Sequence, residues 1–171
     1  MARNVEIKAR VSDLDAIRAV ARTLSSRPSE ISEQTDTFFA VPRGRFKVRE
    51  FGDGSGELIL YERPDQPEPK LSAYTRVACQ DSRALLEILG KALTAKGTVV
   101  KRREIFLVGQ TRIHLDRVEG LGSFVELEVV LADGEVEEPG RRVVRQLLRA
   151  LEIPESGLVA TAYIDLLTSH S

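Results

Sequence analysis

Between residues 4 and 11 the chain alternates strictly. Asn4, Glu6, Lys8 and Arg10 fall on one side; Val5, Ile7, Ala9 and Val11 fall on the other. Side chains of a strand point to opposite faces in turn, so this predicts a strand with one polar and one apolar face. Further strands are expected at 34–41, 45–51, 57–63, 72–79, 98–108, 111–118 and 123–131. Pro42-Arg43-Gly44, Gly52 to Gly56 and Gly109-Gln110 are turn signals that join neighbours closely, which favours antiparallel pairing. Spacing near 3.6 marks three helices. The first, 13–25, carries Leu14, Ile17, Val20, Ala21 and Leu24 on one face, with Ser12 or Asp13 as cap. The second, 82–96, carries Leu85, Leu86, Leu89 and Leu93, with Ser82 as cap and Gly97 as stop. The third, 139–151, begins at Pro139, which suits a first helical turn. Residues 162–167 form a short apolar tail element, and 64–70 read as a loop.

The polar strand faces are unusual in kind. Lys47 and Arg49 oppose Phe46 and Val48; Lys101 and Arg103 share a face; Arg112, His114 and Asp116 oppose Ile113 and Leu115; Glu126 and Glu128 oppose Val125, Leu127 and Val129; Arg76 lies with Ser72 and Tyr74. One solvated face would explain any single strand. Across the set, however, Lys, Arg and Glu dominate where Ser, Thr and Gln would serve on an open surface. The apolar faces need cover, and three amphipathic helices can supply it. The expected fold is therefore α+β: a closed eight-stranded antiparallel β-barrel with a charged lumen and helices packed outside, one domain spanning 1–171. Candidate lumen cations are Lys8, Arg10, Lys47, Arg49, Arg76, Lys101, Arg103 and Arg112, and candidate anions are Glu6, Glu62, Asp116, Glu126 and Glu128. Enclosed charges are costly unless paired. A polyanion bound with a divalent cation satisfies both signs: Lys and Arg grip phosphate oxygens, and carboxylates hold Mg²⁺ or Mn²⁺.

Composition narrows the classes. The 171 residues carry 25 Lys plus Arg against 26 Asp plus Glu, a net charge of −1, which argues against a nucleic-acid binder. No apolar run approaches the roughly 18 residues of a membrane helix, and an outer-membrane barrel is not expected because helices interrupt the strands. One cysteine and no signal-like start point to the cytoplasm. Cys79 is expected to be buried, and Tyr61 and Tyr74 to pack in the sheet. His114 is read as a hydrogen-bonded structural histidine, and Gly52 to Gly56 as a turn, because no Lys-Ser or Lys-Thr follows to make a P-loop. His170 has no expected role.

Four blocks, in order, resemble the CYTH family, which groups class IV adenylate cyclases with thiamine triphosphatases and inorganic triphosphatases. They are Asn4-Val5-Glu6-Ile7-Lys8, where the family has Glu-x-Glu-x-Lys, then Lys47-Val48-Arg49, Lys101-Arg102-Arg103 and the run from His114 to Glu128. The resemblance implies a triphosphate tunnel and a metal-dependent reaction. It implies metal binding at Glu6, Glu126 and Glu128, assisted by Asp116, and phosphate binding at Lys8, Arg49, Arg76, Lys101 and Arg103. Strand parity adds Lys47 and Arg112 to the phosphate set. Asn4 departs from the motif and removes one negative charge from the metal end.

Three functions follow. One is metal-dependent hydrolysis of inorganic triphosphate, a nucleoside triphosphate or thiamine triphosphate, with Lys8 as general acid or base and Asp116 in support. Another is cyclisation of ATP to cyclic AMP and pyrophosphate, which needs an adenine pocket as well. The third is a non-catalytic polyphosphate or nucleotide binder, which Asn4 favours. The expected partner is a small triphosphate, with the protein a monomer or homodimer.

Overall fold

The structure is a computed structural model that describes residues 1–169; His170 lies outside the described residues. In chain order the elements are β1 (Ala2–Arg10), α1 (Leu14–Leu24), β2 (Glu30–Phe39), β3 (Arg45–Phe51), β4 (Gly56–Glu62), β5 (Lys70–Cys79), α2 (Ser82–Ala92), β6 (Ala95–Val108), β7 (Thr111–Val118), β8 (Gly122–Leu131), α3 (Glu137–Ala150) and α4 (Tyr163–Thr168). The strands close into an antiparallel barrel in the order β1-β5-β4-β3-β2-β6-β7-β8. Alternation fixes which face points inward, because a slip of one residue would turn every charged side chain into the apolar shell.

The apolar faces of β1, β6, β7 and β8 are covered from outside. Val5, Ile7, Phe106, Ile113, Leu115, Val125, Leu127 and Val129 pack with Leu14, Ile17 and Ala21 of α1 and Val144 and Leu147 of α3. A second cluster joins Phe38, Val99, Val118 and Phe124 to Tyr163 and Ile164 of α4. The segment entering α4 crosses the barrel end, where the Lys8 and Lys70 ammonium groups donate to the carbonyls of Thr161 (3.2 Å) and Ala160 (3.0 Å). No helix among the described residues is long and apolar enough to cross a membrane.

Boundaries moved where tertiary pairing outweighed local pattern. The second helix stops at Ala92, not Lys96, because residues from Ala95 onward pair with β2. Its cap is Asp81, whose carboxylate accepts from the Ala84 amide at 2.9 Å, rather than Ser82. Gly97 is no helix stop: it lies within β6 beside a register shift in β2, with φ +146°. Cys79 is only half-buried.

Candidate functional site

The basic side of the lumen is organised by a carboxylate that the sequence reading passed over. Lys47 and Arg49 stand two apart on β3, so they share the inward face, and Asp36 of β2 pairs across from Arg49. The Asp36 carboxylate accepts from Arg49 Nε (2.7 Å) and Nη2 (2.9 Å), from Lys47 Nζ (2.6 Å) and from Lys101 Nζ (3.4 Å) on β6. One buried anion thus serves three cations. Burial pushes the Lys47 amine down, Arg49 and Lys101 push it further, and Asp36 opposes them; the outcome is about 7. Burial and the Arg103 charge bring Lys101 to about 8. For Asp36 burial acts upward, but Arg49, Lys47 and Lys101 outweigh it and hold the carboxyl well below its ordinary value.

A second group surrounds Arg103. On β6 it faces Asp116 of β7 and makes a bidentate pair, Nε to Oδ1 at 2.7 Å and Nη2 to Oδ2 at 2.6 Å, while Nη2 also reaches Glu126 at 2.6 Å. The Tyr163 hydroxyl donates to Asp116 at 2.9 Å. Asp116 is 0% exposed, and both its oxygens are taken. It sits behind Arg103 and orients that guanidinium, rather than reaching the cavity as the sequence reading expected of a catalytic group. Lys8 does reach the cavity. Its ammonium lies 3.2 Å from Glu126 and 3.8 Å above the Tyr163 ring, and burial lowers its pKa against the pull of Glu126.

The acidic side is built by β8 and its neighbours. Glu126 and Glu128 share the inward face, with His114 of β7 opposite Glu126 and Glu6 of β1 opposite Glu128. His114 Nδ1 is 3.7 Å from each carboxylate, and ligand atoms of His114, Glu126 and Glu128 all lie within 4.8 Å of one another. Glu6 is not in that group, and Arg63 holds its carboxylate in an ion pair. Burial raises the Glu6 carboxyl; Arg63 opposes this, and Glu128 and Glu126 add to it. Arg112 pairs with Glu128 at 3.2 Å. Among the described residues, four buried polar atoms here have no hydrogen-bond partner: Asn4 Oδ1, Arg63 Nε, Arg112 Nε and His114 Nδ1.

One cavity of about 340 Å³ gathers Glu6, Lys8, Lys47, Arg49, Arg76, Lys101, Arg103, Arg112, Glu126 and Glu128 on its wall. Arg76 stands apart, 46% exposed and 3.6 Å from Glu57. Besides Asp116, two expected lumen charges are elsewhere. Arg10 donates to the Leu121 carbonyl and lies 4.6 Å over the Phe124 ring. Glu62 is exposed, because β4 turns Glu57, Ile59, Tyr61 and Arg63 inward and leaves Leu60 outside. Tyr61 and Tyr74 line the cavity instead of serving only as sheet packing. Asp36, Arg63 and Tyr163 were missed. Asp36 shares parity with Gln34, but the threonines on either side of it blur that signal.

Comparison with known proteins agrees with this architecture. Adenylate cyclase CyaB of Aeromonas hydrophila is 25% identical over 167 residues, covering 93% of this chain and 85% of that protein. Among solved structures, the PH1012 protein of Pyrococcus horikoshii OT3 superposes with a TM-score of 0.84 at 25% identity, covering 95% of this chain and 98% of that one. HpAC1 of Hippeastrum, a candidate adenylyl cyclase described as having a dominant triphosphatase activity, shares the fold with a TM-score of 0.67 at 15% identity, covering 100% of this chain and 97% of that one. The family model for the CYTH domain matches residues 2–163. A closed barrel with inward charges of both signs and a match over nearly its whole length place this chain in the CYTH domain family.

Proposed function

We propose that the protein hydrolyses a triphosphate inside the barrel with the aid of a divalent cation. The observation that carries this reading is one lumen cavity lined by clustered charges of both signs. Lys47, Arg49, Lys101 and Arg103 form a cationic wall, and Glu126 and Glu128 stand side by side on the acidic wall. A chain of three phosphates needs both at once, since phosphoryl transfer depends on positioning and charge neutralisation more than on covalent chemistry.

The donors fit a hard dication: two adjacent carboxylates, and the orphaned carbonyl oxygen of Asn4 on the same inward face. Glu126 and Glu128 would hold Mg²⁺ or Mn²⁺, which would supply charge stabilisation at a phosphate oxygen, while Glu6 opposite on β1 is engaged by Arg63. Arg49 and Arg103 arrive pre-oriented by Asp36 and Asp116, so their forks lose little freedom on gripping phosphate. Lys8, with its lowered pKa, is placed to hand a proton to the leaving phosphate. The α4 segment keeps bulk water from that end of the lumen.

ATP cyclisation is the second reading, favoured by the name of the Aeromonas relative. The two separate by product. Purified protein is incubated with inorganic triphosphate, ATP or thiamine triphosphate in Mg²⁺, Mn²⁺ or EDTA, and products are resolved by chromatography. Orthophosphate release abolished by EDTA is expected. Cyclic AMP with pyrophosphate from ATP moves the assignment to the cyclase. Triphosphate binding without turnover in either metal leaves a binding protein.

A further inference from the structure

The acidic wall contains a nitrogen. His114 is 4% exposed, and its Nδ1 has no hydrogen-bond partner. A buried ring nitrogen is normally paired, so an orphan calls for an explanation. It stands 3.7 Å from Glu126 and 3.7 Å from Glu128, longer than an ordinary hydrogen bond to either. Donor atoms of a common metal, at bond lengths near 2.0–2.2 Å, lie about 3 Å apart when adjacent. His114 Nδ1 needs to close by under an ångström on each carboxylate to share one ion with them. Register keeps them together, since His114 pairs with Glu126 across β7 and β8 and Glu128 is the next inward residue.

The rest of the wall bears on the same assignment. Every carboxylate of this wall carries a cation: Arg63 on Glu6, Lys8 and Arg103 on Glu126, and Arg112 on Glu128, so an ion here competes with those groups. Position 4 offers the neutral amide of Asn4, whose Oδ1 is itself buried and unpartnered. Two carboxylates balance a dication, and a neutral imidazole adds a ligand without adding charge. Imidazole suits Fe, Ni, Cu and Zn and binds Mn²⁺ least among the first-row dications, whereas Mg²⁺ keeps to oxygen.

We infer that His114 Nδ1, with Glu126 and Glu128, forms a mixed nitrogen–oxygen site selective for a first-row transition-metal dication over Mg²⁺. This rests on the metal-dependent reading above. Because one ring nitrogen ligates, the proton resides on the other.

The test uses the full chain and Mn²⁺ as probe, titrated with and without inorganic triphosphate and followed by electron paramagnetic resonance with pulsed detection of nitrogen coupling. Wild-type protein is expected to bind Mn²⁺ with a histidine nitrogen coupling. In His114→Gln the coupling vanishes and Mn²⁺ binding weakens at least tenfold, while Mg²⁺ binding, read by competition, changes less than threefold. A thermal melt confirms that the variant folds, and the wild-type coupling needs no variant. Bound Mn²⁺ that is lost in Glu128→Gln yet shows no nitrogen coupling overturns the inference and leaves the metal-dependent reading standing. Absence of Mn²⁺ binding in wild type, with triphosphate present, overturns both.

Discussion

Asp36, Lys47 and Lys101 show how far one residue's setting controls the whole site. Two lysine amines are held near 7 and 8, against 10.5 ordinarily, because they are buried beside Arg49 and Arg103. In the unfolded chain both regain the higher value. Between about pH 7 and pH 10.5 the unfolded state therefore binds more protons than the folded state, so these groups make stability rise with pH across that window. Urea unfolding at pH 6.5 and pH 9 measures it, and a fall in the contribution of Lys47, read as the difference from Lys47→Met, contradicts the account. A bound triphosphate has the reverse effect. Its negative charge favours the ammonium forms, so binding at pH 8 takes up protons and affinity declines as pH rises through this range. Calorimetry in two buffers of different ionisation enthalpy reads the uptake directly. The pairing that sets this up was half legible. Lys47-Val48-Arg49 gave clear parity, but Asp36 is flanked by Thr35 and Thr37, so its strand shows no contrast between polar and apolar faces.

Elements were read well where one face was buried against a helix and badly where it was not. The strands at Val5 to Ala9 and Val125 to Val129 pack under α1 and α3, and their alternation was unambiguous. In β4 the pattern inverts: Ile59 and Tyr61 face the charged lumen, and Leu60, which no helix covers, is 42% exposed. The leucines therefore pointed to the wrong face and hid Arg63, the partner of Glu6. The end of α2 was lost for a different reason. Helical spacing continues through Leu93, but pairing of Ala95 and Gly97 with β2 takes the chain into a strand. Gly97 holds a φ of +146°, and a Cβ there would stand 2.8 Å from Ile164 Cδ1 of α4. Gly97→Ala should thus cost about 1–3 kcal/mol and loosen α4 over the barrel end. Thermal melting checks the cost, and faster amide exchange at Tyr163 and Ile164 checks the loosening; unchanged exchange contradicts the docking role.

At the scale of the molecule, closure is what converts eight two-faced strands into a site. Each strand alone reads as an edge of a solvated sheet. Only when β1 pairs with both β5 and β8 does Glu6 meet Glu128, and only when β2 pairs with β3 and β6 does Asp36 meet Lys47, Arg49 and Lys101. The barrel was legible because Lys, Arg and Glu dominated the polar faces where neutral polar residues would serve an open surface, and three amphipathic helices were at hand to cover the apolar ones. The ion-pair network was less legible, because it depends on register between strands far apart in the chain. It also depends on Tyr163, a tail residue whose hydroxyl reaches Asp116 only after α4 crosses the barrel end.

The central claim is that the lumen is where a triphosphate binds. Its most direct test is a crystal structure with inorganic triphosphate and Mn²⁺. The account predicts three phosphorus positions along the cavity, with Arg49, Lys101 and Arg103 on one side and an ion against Glu126 and Glu128 on the other. An empty lumen at saturating triphosphate, or phosphates bound only on the outer surface, would contradict it.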